Sequence, residues 1–323
     1  MNDITRAAER LRAGGLVVFP TETVYGVGCD ATNARAVARL FEAKGRPHFN
    51  PLITHVLGLP QAEEHAHLHP NALRLASAFW PGPLTLVARR RAESSIAELA
   101  CAGLSTVALR APAHPMARAL IEAFAGPIAA PSANRSGHVS ATTAQHAADD
   151  LGDRVDLVLD GGASPLGLES TIIGVDDAGQ AALLRHGAIA KQDIEAVIGP
   201  LAGRAASGVA APGMLESHYA PRAHLRLDAH DTRPGEAYLA FGREAPPGGL
   251  TLSARGDLVE AAANLYAHLR ALDASGVEVI AVAPIPSSGL GEAIRDRLWR
   301  AAAPRLDLLG ANAPFSAQAD PIE

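Results

Sequence analysis

The alternation of short apolar runs with helical patterns, which continues to about Gly199, is the feature that most constrains the fold of this chain. Such alternation is typical of an α/β or α+β domain. From Leu201 to Met214 the sequence is instead rich in Ala, Gly, Ser and Pro, which predicts a linker with little to bury. A second βα alternation follows. We therefore predict a first domain over residues 1–199, a linker over 200–223 and a small α/β domain over 224–323.

Apolar runs and amphipathic spacing locate the elements within these two domains. In the first domain, strands are predicted at Leu16–Phe19, Leu52–Val56, Leu84–Ala88, Thr106–Arg110, Ile128–Ala130, Leu157–Leu159 and Ser170–Val175. Helices are predicted there at Met1–Arg12, Ala34–Ala43, Asn71–Phe79, Pro115–Phe124 and Thr143–Leu151. In the second domain, the predicted strands are Leu225–Leu227, Tyr238–Phe241 and Val279–Val282, and the predicted helices are Leu258–Leu272 and Glu292–Ala302.

Composition and charge exclude several classes of protein. With 48% hydrophobic and 19% charged residues, the chain has the composition of a globular protein rather than a disordered one. No apolar run approaches the roughly 20 residues that span a bilayer, and the charged N-terminus does not match a secretory signal. Two cysteines cannot supply a disulfide framework, so we expect a reduced, cytoplasmic setting. The net charge of −6 argues against a broad nucleic-acid-binding surface.

Lys44-Gly45-Arg46 is an unusual basic segment in this chain, because Lys44 is one of only two lysines among 28 basic residues. An ammonium and a guanidinium beside a glycine, with the amide of Asn50 four residues after Arg46, suit the binding of a polyphosphate. The helix predicted to end at Gly45 places both charges on a connection that can reach a ligand. A solvated basic helix end, favoured by the helix dipole, is the competing interpretation.

Ser132-Ala133-Asn134 follows the apolar run Ile128–Ala130 and precedes a glycine turn, with Ser140 shortly after. Hydroxyls and backbone amides placed before a helix can cradle phosphate. An ordinary Ser/Asn turn explains the same residues. If the fold brings this segment to Lys44-Gly45-Arg46, the two form a nucleotide site that uses neither a Walker loop nor a dinucleotide fingerprint.

Two further segments place polar groups at the ends of predicted strands. Pro20–Gly28 carries hydroxyls directly after the first strand, where α/β folds commonly bind ligands, although a polar strand-to-helix turn explains it equally well. Arg110 ends an apolar strand, where its charge must be paired or face a cavity. Its guanidinium suits a ligand carboxylate such as that of an amino acid, and an internal salt bridge is the alternative.

Histidines suggest a metal site only weakly. His65, His67 and His69 would share one face of a strand, but the surrounding glutamates and alanines favour a helix, in which positions i and i+2 diverge. We therefore expect no zinc site there. His55 lies in a predicted strand beside the basic segment, and taken alone it is more typical of a core histidine with its hydrogen bonds satisfied.

The order of five motifs is more specific than any one of them. Along the chain come Pro20–Gly28, Lys44-Gly45-Arg46-Pro47 with Asn50-Pro51-Leu52, Phe79-Trp80-Pro81-Gly82-Pro83-Leu84-Thr85, Ala130-Pro131-Ser132-Ala133-Asn134 with Ser136-Gly137, and Gly167–Ile172. This series resembles the YrdC-like threonylcarbamoyl-adenylate synthase family over essentially the whole chain. Pro212-Gly213-Met214 and His218-Tyr219-Ala220-Pro221, followed by the small α/β domain, are similar to the long, two-domain form of that family.

The resemblance implies a fold and a reaction. The fold would be α/β, with a twisted mixed sheet and a concave basic cavity in the first domain and a small Rossmann-like open sheet in the second. The reaction would join L-threonine, bicarbonate or CO2, and ATP into threonylcarbamoyl-AMP and pyrophosphate, with Mg2+ bridging phosphate oxygens. Other enzymes would then transfer the threonylcarbamoyl group to an adenosine of tRNA, and the resemblance leaves direct tRNA binding by this chain undecided.

The resemblance also assigns roles to the residues that match the family's motifs. L-Threonine would contact Thr23, His55, Arg110, Ala130 and Ser170. The nucleotide would contact Arg46, Asn50, Thr106, Ser132, Ser140, Arg185 and Tyr219. The catalytic signature would be Lys44, Arg46, Ser132 and Asn134, which place and neutralise anions rather than act as acid, base or nucleophile. Leu215-Glu216-Ser217 departs from the more basic stretch usual in the family, so electrostatic help from the linker is not expected.

Two other functions compete with this interpretation. A carbamoyl-transfer protein built on a related domain would carry zinc-binding cysteine pairs, which the lone Cys29 and Cys101 cannot form. A non-enzymatic RNA-binding module could use the same basic cavity as a platform. The net charge of −6 and the lack of an aromatic-interleaved basic stripe weigh against that module.

Overall fold

The computed structural model describes residues 3–203 and 218–304. Its helices are α1 Asp3–Arg12, α2 Ala34–Lys44, α3 Leu59–Glu63, α4 Pro70–Phe79, α5 Pro115–Phe124, α6 Ala144–Leu151, α7 Lys191–Ile198, α8 Leu258–Ala274 and α9 Leu290–Ala302. Its strands are β1 Val17–Phe19, β2 Gly26–Asp30, β3 Ile53–His55, β4 Ala66–His67, β5 Leu84–Arg90, β6 Thr106–Arg110, β7 Ile128–Ala129, β8 Leu157–Val158, β9 Thr171–Val175, β10 Ala181–Arg185, β11 His224–Arg226, β12 Glu236–Ala240, β13 Leu250–Thr251 and β14 Val279–Val282.

A large mixed sheet organises the first domain. Its strands lie in the order β10-β9-β5-β6-β3-β7-β2-β1-β8, and β4 pairs with β5 outside this path. Parallel and antiparallel pairs are interspersed, since β3 runs parallel to β6 on one side and antiparallel to β7 on the other. The mixed-sheet α/β fold predicted for this domain is therefore confirmed.

Helices cover both faces of the sheet around β1. Side chains of a strand alternate between faces, so Val18 packs in one core and Val17 and Phe19 pack in another. The first of these cores receives Leu40 and Phe41 from α2, and the second is closed by α1 and α5. The helix predicted at Ala34–Ala43 is thus α2, and its apolar stripe is the buried face.

The part of the sheet around β5 and β9 is packed differently on its two sides. Helices α4 and α7 cover Leu84 and Leu86 together with residues of β9. On the other side Ile53, Val87 and Ile172 belong to a smaller cluster. Ile53 also borders the cavity described below.

The second domain is a small open sheet that shares its core with the first. Its strands lie in the order β11-β14-β12-β13, and the pairs in it are parallel. The apolar stripe of α8 is buried from Ala262 to Leu272, and Tyr266 is buried with it. The same hydrophobic cluster includes Val24 and Leu168 of the first domain. The core of the second domain therefore extends to residues of the first.

Two local expectations differ from the structure. The segment Pro20–Gly28 is not a strand-to-helix turn, because it leads into β2, which pairs antiparallel with β1. The helix favoured around His65–His69 is wrong, because β4 forms there by pairing with β5, and the His69 side chain caps α4. Within the described ranges, no helix is long and apolar enough to cross a membrane. The exact limits of the linker stay a prediction, since residues 204–217 lie outside the described residues.

Candidate active site

A cavity opens on the face of the large sheet that carries Ile53. The described residues that line it are Thr21, Thr23, Val24, Tyr25, Gly26, Arg46, Ile53, His55, Arg110, Ala130, Pro131, Ser132, Glu169, Ser170, Arg185, His218 and Tyr219. The empty space between them is about 560 Å³, a figure that includes solvent at the mouth. Three arginines and one glutamate among these residues give the walls an excess of positive charge, which suits an anionic ligand.

Strand register places Arg110 in the cavity wall. Because His55 of β3 pairs with Arg110 of the parallel strand β6, both side chains lie on the same face. The guanidinium donates to Glu22 Oε1 at 2.5 Å, to Thr23 Oγ1 at 2.9 Å and to the Gly82 carbonyl oxygen at 3.2 Å. Burial raises the pKa of Glu22, but Arg110 outweighs burial and keeps that pKa below its ordinary value. The internal salt bridge considered from the sequence is present, and Arg110 lines the cavity as well.

His55 is a neutral, buried imidazole. Burial lowers its pKa to about 3, and the charge of Arg110 adds to that effect. Both ring nitrogens are buried without a hydrogen-bond partner among the described residues. A neutral imidazole has one donor and one acceptor, so His55 is suited to bind a hydroxyl group of a ligand.

The two segments singled out in the sequence meet in space. Lys44 ends α2 with only 3% of its surface exposed, and its ammonium donates to the backbone carbonyl oxygens of Ser132 and Asn134. The Ser136 amide donates in return to the Lys44 carbonyl oxygen at 2.9 Å. Burial lowers the pKa of Lys44 well below its ordinary value, and Arg46 adds to this effect. Lys44 is thus a fixed anchor of the 132–136 loop.

Arg46 is buried next to this anchor and lines the cavity. Its guanidinium donates to the carbonyl oxygens of Asn50 at 3.1 Å and Pro51 at 2.8 Å. Burial lowers its pKa to about 9, which leaves the group charged at neutral pH. The amide nitrogen and oxygen of the Asn50 side chain are buried, and neither has a partner within residues 3–203 and 218–304. The solvated helix end considered from the sequence is therefore wrong for Lys44 and Arg46.

Asn134 fixes the shape of the loop that Lys44 anchors. Its amide nitrogen donates to the carbonyl oxygens of Arg135 and His138, both at 2.8 Å. Ser132 forms an antiparallel bridge with Gly26 at the start of β2. Held from both sides, Ser132 lines the cavity.

Arg185 is held at the end of β10 by Ser170. Its Nη2 donates to the carbonyl oxygen of Ser170 at 2.9 Å and to the hydroxyl of Ser170 at 3.1 Å. The same hydroxyl lies 2.7 Å from Thr85 Oγ1. A side chain at Gly187 would not fit, because a Cβ there would lie 2.3 Å from the backbone nitrogen of Thr171. The glycine turn after Arg185 thus allows the two strand ends to approach each other closely.

Glu169 connects the cavity to the second domain. Its carboxylate accepts from the Ser140 hydroxyl at 2.6 Å, from the Tyr266 hydroxyl at 2.9 and 3.0 Å and from Arg297 Nε at 3.0 Å. Burial raises the pKa of Glu169, but Arg297, Arg185 and the Ser140 hydrogen bond lower it to about 2. Glu169 is therefore an ionised carboxylate with donors from both domains.

Tyr219 lies over this group at the beginning of the second described range. Its backbone has a positive φ of 63°, which is uncommon for a residue with a side chain. Its ring stacks on Tyr266 with centroids 5.7 Å apart, and the Arg297 guanidinium carbon lies 5.2 Å from the Tyr219 ring centroid. The preceding His218 contacts the same ring at 4.0 Å. Tyr219 and His218 therefore close one side of the cavity.

Two family models match consecutive parts of the chain. The Sua5/YciO/YrdC model, which is described as "Telomere recombination", matches residues 9–187. The model described as "Threonylcarbamoyl-AMP synthase, C-terminal domain" matches residues 189–303. This chain belongs to the Sua5/YciO/YrdC family.

Curated relatives and solved structures agree over nearly the whole length. A threonylcarbamoyl-AMP synthase of Pyrococcus abyssi is 41% identical, with 93% of this chain and 94% of the relative covered. One of Bacillus subtilis is 40% identical, with 94% of each covered. The crystal structure of P. abyssi Sua5 complexed with L-threonine has a TM-score of 0.85 at 38% identity and covers 93% of this chain and 94% of that chain. E. coli YciO, at 24% identity and a TM-score of 0.51, shares the fold alone and covers 57% of this chain and 88% of that chain.

Most of the site residues predicted from the family resemblance lie at the cavity. Those that line it are Thr23, Arg46, His55, Arg110, Ala130, Ser132, Ser170, Arg185 and Tyr219. Those that are buried but do not line it are Lys44, Asn50, Asn134 and Ser140. Thr106 is not brought there, because it begins β6 and lies about 13 Å along the strand from Arg110. The Leu215-Glu216-Ser217 departure lies outside the described residues.

Some residues at this cavity were not predicted from the sequence. The sequence motifs give no role to Glu22, Tyr266 or Arg297, and they contain Glu169 only as part of Gly167–Ile172. A signal was available for Arg297, because it lies on the buried stripe of α9 between Ile294 and Leu298. A charge within an apolar stripe requires a buried partner.

The expectation that the His65–His69 histidines do not bind zinc stays a prediction. The described ranges contain no group of three or more His, Cys, Asp or Glu residues that could hold a metal ion. His65 lies instead with its Nδ1 3.3 Å from the Ser94 hydroxyl.

Proposed function

We propose that this chain is a threonylcarbamoyl-AMP synthase, which joins L-threonine, bicarbonate or CO2, and ATP into threonylcarbamoyl-AMP and pyrophosphate. The observation that carries this proposal is the full-length likeness to a Sua5 structure complexed with L-threonine. The names of the P. abyssi and B. subtilis relatives support it. A cavity with three arginines, two neutral histidines and several hydroxyls is chemically suited to these substrates.

The threonine end of the cavity lies around Arg110. Of the five N–H groups of its guanidinium, one each is used by Gly82, Thr23 and Glu22. Each terminal nitrogen keeps one N–H that no residue of the described ranges occupies, and these donors are proposed to bind the carboxylate. His55 and Ser170 supply groups for the threonine hydroxyl or amine, and Ala130 leaves space beside them.

The nucleotide end of the cavity lies around Arg46 and Arg185. The threonine amine captures CO2 as a carbamate and releases a proton to solvent, and a carbamate oxygen then attacks the α-phosphorus of ATP. The bond from the α-phosphorus to the oxygen that bridges to the β-phosphorus breaks, and pyrophosphate leaves. Because two anions must approach each other, the two guanidinium charges lower the barrier by offsetting negative charge. The ring of Tyr219 limits the access of water.

We assign Lys44 a positioning role. The resemblance implies a residue that places and neutralises anions, but two of its three donors hold the carbonyl oxygens of Ser132 and Asn134. Lys44 therefore positions the loop that presents Ser132 to the nucleotide. Asn134 shapes the same loop, and Asn50 accepts from Arg46 through its backbone. Thr106 lies away from the cavity, so this proposal gives it no contact with the nucleotide.

Mg2+ enters this proposal with ATP rather than on protein side chains. Glu169, which lines the cavity, and Glu22, which binds Arg110, are both paired with arginines. Among the residues with described positions, none form a cluster able to hold a metal ion. The ion would be bound to phosphate oxygens of ATP, whose negative charge it reduces.

The fate of the product follows from its chemistry. A mixed anhydride of a carbamate and a phosphate is a reactive acyl donor, so a separate enzyme must receive it and transfer the threonylcarbamoyl group. We assign that acceptor reaction to enzymes that modify an adenosine of tRNA in the cytoplasm.

Threonine-dependent release of pyrophosphate from ATP tests the proposal. We expect release in the presence of bicarbonate and L-threonine and none when threonine is omitted. L-Alanine is the matched control, because it keeps the amine and carboxylate but lacks the hydroxyl. Release that does not depend on threonine contradicts the proposal, and RNA binding without any release would favour the non-enzymatic alternative.

A further inference from the structure

One face of α8 binds Val139 and Ser140 of the first domain. Tyr266 and Arg270 are four residues apart on this helix, so their side chains lie on the same side of it. Arg270 donates to the carbonyl oxygens of Val139 at 2.5 Å and Ser140 at 3.2 Å. It also pairs with Asp150 of α6 at 2.8 Å. Ser140 is therefore held through its backbone by the second domain.

Helix α8 also packs directly against the backbone at Gly167, two residues before Glu169. Gly167 has a positive φ of 63°, and a Cβ there would lie 2.4 Å from the Ala262 carbonyl oxygen and 2.6 Å from the Ala263 Cα. A larger residue at this position would push α8 away from the cavity. The close approach lets the Tyr266 hydroxyl reach both carboxylate oxygens of Glu169.

Arg297 holds the same carboxylate from α9. It is 0% exposed, and its Nε donates to Glu169 Oε2 at 3.0 Å, while its guanidinium lies against the ring of Tyr219. A buried arginine is costly unless it is paired, so its position is set by Glu169 and Asp296. Arg297 thus links the orientation of Tyr219 to that of Glu169.

We propose that Tyr266, Arg270 and Arg297 of the second domain are positioning residues for the nucleotide. Tyr266 and Arg297 bind Glu169, which accepts a hydrogen bond from the Ser140 hydroxyl, and both contact the Tyr219 ring. Arg270 fixes the Ser140 backbone directly. The threonine end needs none of these contacts, since Arg110 is held by Glu22, Thr23 and Gly82 of the first domain. The second domain therefore sets nucleotide affinity and leaves threonine affinity to the first domain. This inference rests on the proposed function.

A pair of tyrosine variants tests the inference with the full chain. Tyr266→Phe removes one hydroxyl that binds Glu169. Tyr238→Phe is the matched control, because it removes a buried hydroxyl of the same domain that donates to the Ala229 carbonyl oxygen at 2.9 Å, away from the cavity. Affinities for threonine and for α,β-methylene-ATP, which keeps the phosphates but blocks cleavage between the α and β positions, are measured by calorimetry.

We expect Tyr266→Phe to weaken binding of the ATP analogue about tenfold, because hydrogen bonds to a buried charge are lost. Threonine affinity should stay within about twofold of wild type, and Tyr238→Phe should change neither affinity by more than that. Equal effects of the two variants on the analogue, or an equal loss of threonine affinity in Tyr266→Phe, would overturn the inference.

Variants in α9 distinguish a positioning role of Arg297 from a general effect on folding. Arg297→Lys, which keeps a charge near Glu169, should recover part of the analogue affinity that Arg297→Met loses. Arg295→Met is the control, since Arg295 lies on the same helix with its side chain 43% exposed. Failure of Arg297→Lys to bind better than Arg297→Met, with both variants folded by circular dichroism, contradicts positioning by Arg297. Wild-type protein that binds no analogue contradicts the proposed function itself, whereas intact wild-type binding with equal tyrosine variants contradicts only this inference.

Discussion

The two ends of the cavity each contain a buried arginine–glutamate pair, and the pairs are arranged in opposite ways. At the threonine end Arg110 lines the cavity, and Glu22 stands behind it, bound to the backbone amides of Ala113 and His114. At the nucleotide end Glu169 lines the cavity, and Arg297 stands behind it in the second domain. In the first pair the cation is presented to the ligand, and in the second the carboxylate organises the donors around it.

This difference shows how the work of binding is divided between the domains. The threonine end is assembled within the first domain, where strand register alone sets Arg110 beside His55. The nucleotide end requires residues of both domains, because Glu169 binds Ser140 on one side and Tyr266 and Arg297 on the other. Variants on the two sides should therefore have separable effects on the two substrates.

The largest expected effect is that of Arg110→Met on threonine. The variant removes the group proposed to bind the threonine carboxylate and leaves Glu22 buried without its cation. We expect threonine affinity to fall by at least about a hundredfold and stability to fall by about 3–5 kcal/mol. Calorimetric titration and urea denaturation measure the two effects. Nucleotide affinity should change far less, and an equal loss for both substrates would break the division.

Lys44→Met should reduce the rate of threonine-dependent pyrophosphate release by about thirtyfold. The carbonyl oxygens of Ser132 and Asn134 lose a charged donor, which is worth about 2 kcal/mol. Lys191→Met is the matched control, because Lys191 is the other lysine of the chain and pairs with Glu195 at the start of α7. If Lys44→Met retains the wild-type rate, Lys44 does not position the loop.

Replacing either glutamate by glutamine tests the comparison between the two ends of the cavity with the same chemical change. Glu22→Gln should weaken threonine binding about tenfold and spare the nucleotide, whereas Glu169→Gln should do the reverse, because each removes the charge that orients its arginine. Calorimetric affinities of both variants for both ligands decide the matter. The same pattern in both variants would show that the ends of the cavity are one coupled unit.

The smallest expected effect is a loss of stability on mild acidification. Burial lowers the pKa values of His55 and His218 to about 3, against an ordinary value of 6.5. Between those values the unfolded chain takes up protons that the folded protein cannot, so stability that is complete above pH 6.5 is lost as the pH falls. Each histidine should cost about 1 kcal/mol between pH 6.5 and 5.5. Urea denaturation at the two pH values measures it, and His55→Gln should reduce the loss by about 1 kcal/mol, the share of one histidine.

Much of the fold was predictable because it is set by local pattern. The predicted bounds of β6, α5 and β14 agree with the structure, since continuous apolar runs and a proline at a helix start are strong local signals. Strand β2 was missed because its sequence, Gly26–Asp30, contains two glycines and little β propensity. Pairing with β1 and β7 makes it a strand, and pairing is not visible in a local window.

The site was predictable in its residues more than in its contacts. The order of the motifs identified Thr23, Arg46 and Ser132, which line the cavity. The burial of Lys44 could not be predicted, because it depends on a loop that lies 88 and 90 residues further along the chain. The burial of Arg297 is indicated by its place on the apolar stripe of α9, but its partner could not be predicted, because Glu169 lies 128 residues away.

Isotope-labelled bicarbonate gives the most direct test of the central claim that this cavity builds a threonylcarbamoyl adenylate. The wild-type protein is incubated with labelled bicarbonate, ATP, Mg2+ and L-threonine, and the nucleotides are separated and analysed by mass spectrometry. The account predicts an adenylate that contains both threonine and the label, formed in equal amount with pyrophosphate. A labelled product that lacks threonine, or pyrophosphate release without any labelled adenylate, would contradict it.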